Sequence, residues 1–318
     1  MKKKSVKKIS IVVPCFNEQE VISIFYKEIL KVLADMKCDY ELIFVDDGSI
    51  DNTIESIKEL SFKNRKVSYI SFSKNFGKES AMYAGIKNST GDYVAVMDAD
   101  MQDPPMLLKQ MYDKLENNEC DCVAARRIDR KGESKIVSIF SKMFYKLINR
   151  LSKSNIVDGI RDFRLMNRKM VDSVISISER NRFSKGIFSW VGYKTDIIDY
   201  ENIERAAGTT SWSFFGLVRY AIDGIINFSQ VPLDIASWFG IVMTLISFIM
   251  LLFIVIRKLI FGDPVAGWAS TMSVIIFIGG IQLFCMGIIG QYIGKTYIEV
   301  KERPHYIVSD SNIKNIKQ

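Results

Sequence analysis

The chain has one histidine, His305, among 318 residues. Chemistry built on a histidine base or a histidine-rich metal site is therefore excluded from most of the sequence. Cysteines number five (Cys15, Cys38, Cys120, Cys122 and Cys285). The count is odd and one falls in an apolar run, so a reduced compartment is expected rather than a disulfide framework. The Cys120-x-Cys122 pair lacks partners at zinc-ligand spacing. The basic start "MKKKSVKKIS" is followed by no signal-type apolar core, because "IVVP" is short and ends in a proline. The amino-terminal part is therefore expected to stay on the cytoplasmic side. "KNFGKES" is not a phosphate-binding P-loop, since Phe72 stands where the first glycine is needed. The net charge of +7 comes without a basic-aromatic nucleic-acid motif, so no nucleic-acid partner is expected. No internal repeat and no long low-complexity stretch is present.

Charge itself is missing from two long runs, residues 235–256 and 264–294. A helix of about 20 apolar residues spans a bilayer. Both runs qualify, and Trp238 and Trp268 near their ends suit the membrane interface. Two spans return the chain to its starting side. The tail carries Lys295, Lys301, Arg303, Lys314 and Lys317, as a cytoplasmic end should; Arg257 and Lys258 between the spans weaken the bias without reversing it. "KIVSIFSKMFYKLINRL" and "WSFFGLVRYAIDGIINFS" are amphipathic and suit the membrane surface. The last residues, "VSDSNIKNIKQ", read as a loose tail.

Before residue 230 the chain alternates apolar runs with helical periodicity. "KISIVVPCF", "YELIFVDDGS", "VSYISFS", "YVAVMDAD" and "CDCVAAR" read as strands. Helices are expected between them, the first with Val21, Ile24, Phe25, Ile29 and Val32 or Leu33 on one face, and the second capped by Asp51 or Ser49. This order predicts an α/β domain with a parallel, doubly wound sheet. Ligands bind such sheets beyond the carboxyl ends of the strands. "PCFNE", "DDGS" and "DADMQD" all fall at those ends.

"VAVMDADMQDPP" drives a buried strand into Asp98, Asp100 and Asp103. Carboxylates this close repel unless a positive group joins them. Alternate hard oxygens at Asp98 and Asp100 suit Mg2+ or Mn2+ shared with phosphate oxygens. Asp46 and Asp47 are placed to accept hydrogen bonds from a base or ribose, with Gly48 and Ser49 setting their direction. Arg126, Arg127, Arg161, Arg164 and Arg205 are the arginines that suit a diphosphate or acceptor phosphate.

Together "VVPCFNE", "VDDGSIDNT", "KNFGKE", "DADMQDPP", "RDFRLM", "RFSKGIFSWVGY" and "ERAAGTTSWS" resemble the family 2 glycosyltransferases. The closer resemblance is to the polyprenyl-phosphate branch, which includes dolichol-phosphate mannose synthases and bactoprenol glucosyltransferases. It runs from about residue 9 to the second span. It implies a GT-A domain over 1–210, an interfacial helix over 211–233, two transmembrane helices within 234–295 and a cytoplasmic tail over 296–318. It implies inverting transfer of a sugar, with UDP-glucose the leading donor, to a polyprenyl (undecaprenyl) phosphate on the cytoplasmic membrane face, for cell-envelope glycosylation. By the same resemblance Pro14, Phe16, Asn17, Glu18, Asp46, Asp47, Ser49, Lys78, Asp98 and Ala99 hold the nucleotide sugar. Asp98, Asp100 and Gln102 surround a Mg2+ or Mn2+ ion. Arg126, Arg161, Arg164 and Arg205 face phosphate or acceptor. Asp100 and Asp162 are the catalytic pair, although a lipid phosphate is already an anion and needs little help from a base.

Two departures stand out: Ser211 occupies a position where mannose synthases carry lysine, and Met106 follows "DPP" where an acid is common. Two short spans also suit a homo-oligomer. A processive polysaccharide synthase would show Gln-x-x-Arg-Trp and more spans, which this sequence lacks. A non-catalytic membrane scaffold would not need the intact acidic clusters.

Overall fold

The computed structural model describes residues 6–128, 159–201, 226, 231–261 and 267–317. Both amphipathic segments expected at the membrane surface, together with Arg205 and Ser211, lie outside these residues, apart from Ile226.

β1 (Lys8–Cys15), β2 (Asp39–Asp46), β3 (Val67–Phe72) and β4 (Tyr93–Val96) are parallel, in the order β4-β1-β2-β3. α1 (Ile22–Ala34), α2 (Thr53–Lys63) and α3 (Lys78–Asn88) connect them, and α4 (Leu107–Glu116) leads to β5 (Cys122–Arg127). The period-2 pattern of β1 divides its side chains between two cores. Ile9, Ile11 and Val13 pack with Phe25 and Ile29 of α1 and Met111 of α4, while Val12 packs with Met82 and Ile86 of α3. Each such fully buried side chain contributes roughly 1.5–3 kcal/mol. On α1 the buried face is Ile22, Phe25, Ile29 and Leu33; Ile24, expected inside, is exposed.

The sheet is mostly parallel, with one reversed strand inside it. β6 (Ile160–Asn167) is inserted between β4 and β5 and runs antiparallel to both. Because it is reversed, its beginning lies at the carboxyl edge where its neighbours end. β7 (Thr195–Tyr200) then pairs parallel with β5. α5 (Arg168–Ser176) and α6 (Ser184–Trp190) lie between β6 and β7 in the chain.

α7 (Val231–Phe261) and α8 (Trp268–Val300) form an antiparallel apolar pair. Each contains a stretch long and apolar enough to cross a membrane, Val231–Met250 and Phe277–Val300, by length and composition. Only 6% and 0% of these windows is buried by the rest of the chain, so they are not core helices of the sheet domain.

The tail is not loose. β8 (Val308–Ser311) pairs antiparallel with β3 and covers the sheet edge. Tyr306, 2% exposed, stacks on Phe72 at 4.7 Å. Asn312 Oδ1 accepts from the Tyr69 N–H at 2.8 Å, and Asn88 Oδ1 accepts from the Lys317 N–H at 2.8 Å. The chain thus leaves the sheet domain, makes the apolar hairpin and returns to the same domain.

Candidate active site

The β1 and β2 loops are stitched together at the carboxyl edge. Asn17, with φ at 55°, donates its N–H to Ser49 Oγ at 2.9 Å and accepts from the Ile50 N–H at 3.0 Å. The Glu18 N–H donates to Thr53 Oγ1 at 2.8 Å. Asp51 Oδ1 accepts from the Thr53 N–H at 3.0 Å and so holds the entry to α2. Pro14 is buried within β1, whereas Phe16 is exposed beyond it. Gly48 sits at φ 70°, and any Cβ there would collide with the main chain of Lys74 and Asn75.

Asp46 and Asp47 turn inward, to 1% and 3% exposure. Asp46 accepts from the Ser49 N–H and Ser71 Oγ, at 3.1 and 2.8 Å. Asp47 accepts from the N–H groups of Phe76 and Gly77, at 2.6 and 2.9 Å. Burial pushes the Asp47 carboxyl up to about 6 in spite of those two N–H groups, with Asp46 adding like charge. Its visible work is to fix the loop that launches α3.

Lys78, the first residue of α3, answers the charge problem of "DADMQD". Its Nζ lies 2.7 Å from a carboxylate oxygen of Asp98 and 2.7 Å from one of Asp162. Burial alone would push Asp162 up; the Lys78 ammonium, with the Lys185 charge behind it, holds it well below the usual carboxylate range. Asp162 reaches Asp98 only because β6 is reversed. Asp103 is buried and is pushed up by burial, against the pull of Arg161. It accepts from the Tyr200 hydroxyl and lies 3.6 Å from Arg161 Nε. Arg161 also donates to Gln102 Oε1 at 2.8 Å. Between them Met101 takes φ 61°, and the Gln102 N–H donates to Asp100 Oδ1 at 3.1 Å. Such strain in a non-glycine residue is typical of functional turns. Ala99 turns its methyl into the core, so only its main chain can face a ligand.

Of the five arginines expected at phosphate, Arg164 and Arg126 have partners within the protein. Arg164 is 4% exposed, its guanidinium 3.8 Å from the Phe188 ring centroid. It donates to the main-chain oxygens of Asp162 and Arg161, at 3.3 and 3.0 Å, so it shapes the start of β6 from within. Arg126 makes a two-pronged pair with Asp199, at 2.6 and 2.8 Å, across the β5–β7 register. Arg161 is in the cluster.

Sequence reasoning missed Glu79, Tyr200 and Asp199. Glu79 follows Lys78 and accepts from the Ser184 N–H and hydroxyl. Burial pushes it up to about 7. Its place inside the "KNFGKE" motif was the available signal.

Among the described residues no three His, Cys, Asp or Glu side chains gather closely enough to hold a metal alone. Asp98 and Asp100 offer hard oxygens at a partly open edge, with the Gln102 amide beside them. That donor set fits Mg2+ or Mn2+ when a bound diphosphate and water complete the shell.

Comparison with known proteins agrees with this geometry. The Glycosyl transferase family 2 profile matches residues 10–175, and the GtrB C-terminal hairpin profile matches residues 231–296. CsbB of Bacillus subtilis (strain 168), named as a glycosyltransferase, is 42% identical over 96% of this chain and 93% of its own length. The prophage bactoprenol glucosyl transferase homolog of Escherichia coli (strain K12) is 41% identical over 95% of this chain and 98% of its own. The bactoprenol glucosyl transferase of Shigella phage SfII is 40% identical over 96% and 98%. Among solved structures, glucosyl-3-phosphoglycerate synthase from Mycobacterium tuberculosis, crystallised with Mn2+, UDP and its product, superposes with a TM-score of 0.50. It is 19% identical over 70% of this chain and 80% of that one, a likeness of fold. The sheet, the acidic strand ends and the apolar hairpin therefore have one explanation: the chain belongs to glycosyl transferase family 2 and carries a GtrB-type C-terminal hairpin.

Proposed function

We propose that the protein transfers glucose from a nucleotide sugar, with UDP-glucose the leading donor, to a polyprenyl phosphate at the cytoplasmic face of a membrane. One observation carries this reading. The acidic strand-end site and the apolar hairpin belong to one body, because the chain beyond α8 returns to the sheet as β8. An acidic strand-end site and an apolar hairpin in one body support a nucleotide-sugar donor with a lipid acceptor. The relatives named bactoprenol glucosyl transferases, aligned over nearly their whole length, support glucose and a polyprenyl phosphate. Entry and return from the same domain support an even number of crossings, with the tail on the catalytic side.

In this reading an acceptor phosphate oxygen attacks the anomeric carbon. The bond from that carbon to the diphosphate oxygen breaks, and the nucleoside diphosphate leaves with the electron pair, inverting the centre. The loops 16–19 and 46–50 position the nucleotide. Mg2+ or Mn2+, held by Asp98 and Asp100 with Gln102 alongside, would neutralise the leaving diphosphate. The Lys78 ammonium bridges Asp98 and Asp162. Asp162, held so far below the usual carboxylate range, is a poor proton acceptor and serves to orient acceptor or sugar. Arg161 steadies the "DADMQD" turn through Gln102 and Asp103.

The test is transfer from radiolabelled UDP-glucose, UDP-GlcNAc and GDP-mannose to undecaprenyl phosphate, with Mg2+ or Mn2+ and with EDTA. Lipid labelling from UDP-glucose that EDTA abolishes is expected. Folded, nucleotide-binding protein that labels no lipid contradicts the reading.

A further inference from the structure

Arg180–Lys185 is a segment held by two carboxylates from distant parts of the chain. Glu299, in the last turn of α8, accepts from the Arg180 N–H at 2.8 and 3.1 Å and from the Asn181 N–H at 3.0 Å. Arg180 Nε donates to the Arg303 carbonyl at 2.8 Å. At the other end Glu79 accepts from the Ser184 N–H at 3.0 and 3.1 Å, and from its hydroxyl. Between these anchors Arg182 lies 4.3 Å from the Tyr83 ring centroid and donates to the Ile177 carbonyl. Glu79 is the chain neighbour of Lys78, which bridges Asp98 and Asp162. The segment therefore runs from the end of the second apolar helix to the edge of the catalytic cluster.

Lys185 comes next. It is half-buried, and among the described residues it has neither a hydrogen bond nor an ion pair. Its charge acts on Asp162, behind that of Lys78. A half-buried ammonium held near a carboxylate without pairing to it is ready for an anion. The loops expected to hold the donor lie at the ends of β1, β2 and β4. The Lys185 segment is instead fastened to the end of α8, which in the transferase reading reaches the level of the lipid headgroups. We propose that Lys185 binds the phosphate of the lipid acceptor, and that Glu79 and Glu299 are positioning residues holding its segment between the hairpin and the site. The inference rests on the transferase reading above and adds to it the residue that receives the acceptor.

The experiment uses the full chain in nanodiscs, varying undecaprenyl phosphate and UDP-glucose separately. Lys185→Ala raises the KM for undecaprenyl phosphate about tenfold or more, the loss of one charge-assisted contact, and leaves the KM for UDP-glucose within about twofold. Lys185→Arg recovers most of the acceptor affinity. Glu299→Gln, which touches neither substrate, shifts the acceptor KM in the same direction by less. An unchanged acceptor KM in Lys185→Ala overturns the proposal. A raised donor KM with the acceptor KM unchanged also overturns it, by assigning Lys185 to the diphosphate. If Lys185→Ala loses both substrates through misfolding, Lys185→Gln read the same way decides. Wild-type protein that makes no lipid product contradicts the transferase reading itself, and the inference falls with it.

Discussion

The proposed site has a donor half and an acceptor half, and they are built differently. The donor half comes from short loops at the ends of parallel strands: Asn17 with Ser49, Asp51 with Thr53, Asp100 with Gln102. Much of its bonding joins residues within a loop or between adjacent strand ends. The proposed acceptor half is assembled from far along the chain: Asp162 is held by Lys78 of the donor side across 84 positions, Glu79 meets Ser184 across 105, and Arg180 meets Glu299 across 119. A nucleotide site can be made by one sheet edge alone. In the proposed reading a site for a membrane lipid has to be tied to the apolar hairpin, and these long-range carboxylate contacts supply that tie.

The contrast can be broken from either side. The largest effect is expected in the donor half. Asp98→Asn and Asp100→Asn should each lower turnover about 100-fold or more while leaving thermal unfolding nearly unchanged, since both face a partly open edge. Full activity in either folded variant removes the metal-diphosphate role. Next, Tyr306→Ala should destabilise the fold by about 3 kcal/mol, because a buried, stacked ring is lost from the docked tail. A single transition lowered as a whole would mean that tail and sheet unfold together. A separate early transition would mean that the tail unfolds independently of the sheet.

The smallest effect concerns pH. Burial, with Arg182, Arg180 and Lys87 nearby and Glu299 opposing them, lowers His305 from its ordinary 6.5 to about 4. The unfolded chain binds that proton and the folded chain does not. The contribution is therefore whole above about pH 6.5 and is lost as pH falls through about 4. His305→Asn should flatten this part of the stability profile, measured by denaturant unfolding between those values.

The donor half was the more legible in the sequence, and the reason is physical. Parallel strands buried on both faces appear as apolar runs, and their polar ends are contiguous motifs. β6 was not legible as a reversed strand, because nothing local in "RDFRLM" says that it inserts between β4 and β5. Arg164 was expected at a phosphate, yet its weakly hydrated guanidinium is buried against Phe188. β8 is four residues, mostly polar, and its stability comes from main-chain pairing with β3 that composition does not register. Ile24 lies about 200° of helical rotation from Ile22; a face begun at Val21 takes in Ile24, whereas the buried face of the helix begins at Ile22. Glu79 lay in plain sight within a motif, but its partner Ser184 is supplied only by the fold.

The central claim is that one body joins a nucleotide-sugar site to a lipid-phosphate acceptor. The most direct measurement is mass and anomeric analysis of the product formed by the full chain in nanodiscs from UDP-glucose and undecaprenyl phosphate. The account predicts undecaprenyl phosphate bearing one β-linked hexose, the inverted product of an α-linked donor. Nucleotide binding without any lipid-linked hexose, or a hexose carried instead by a water-soluble acceptor, would contradict it.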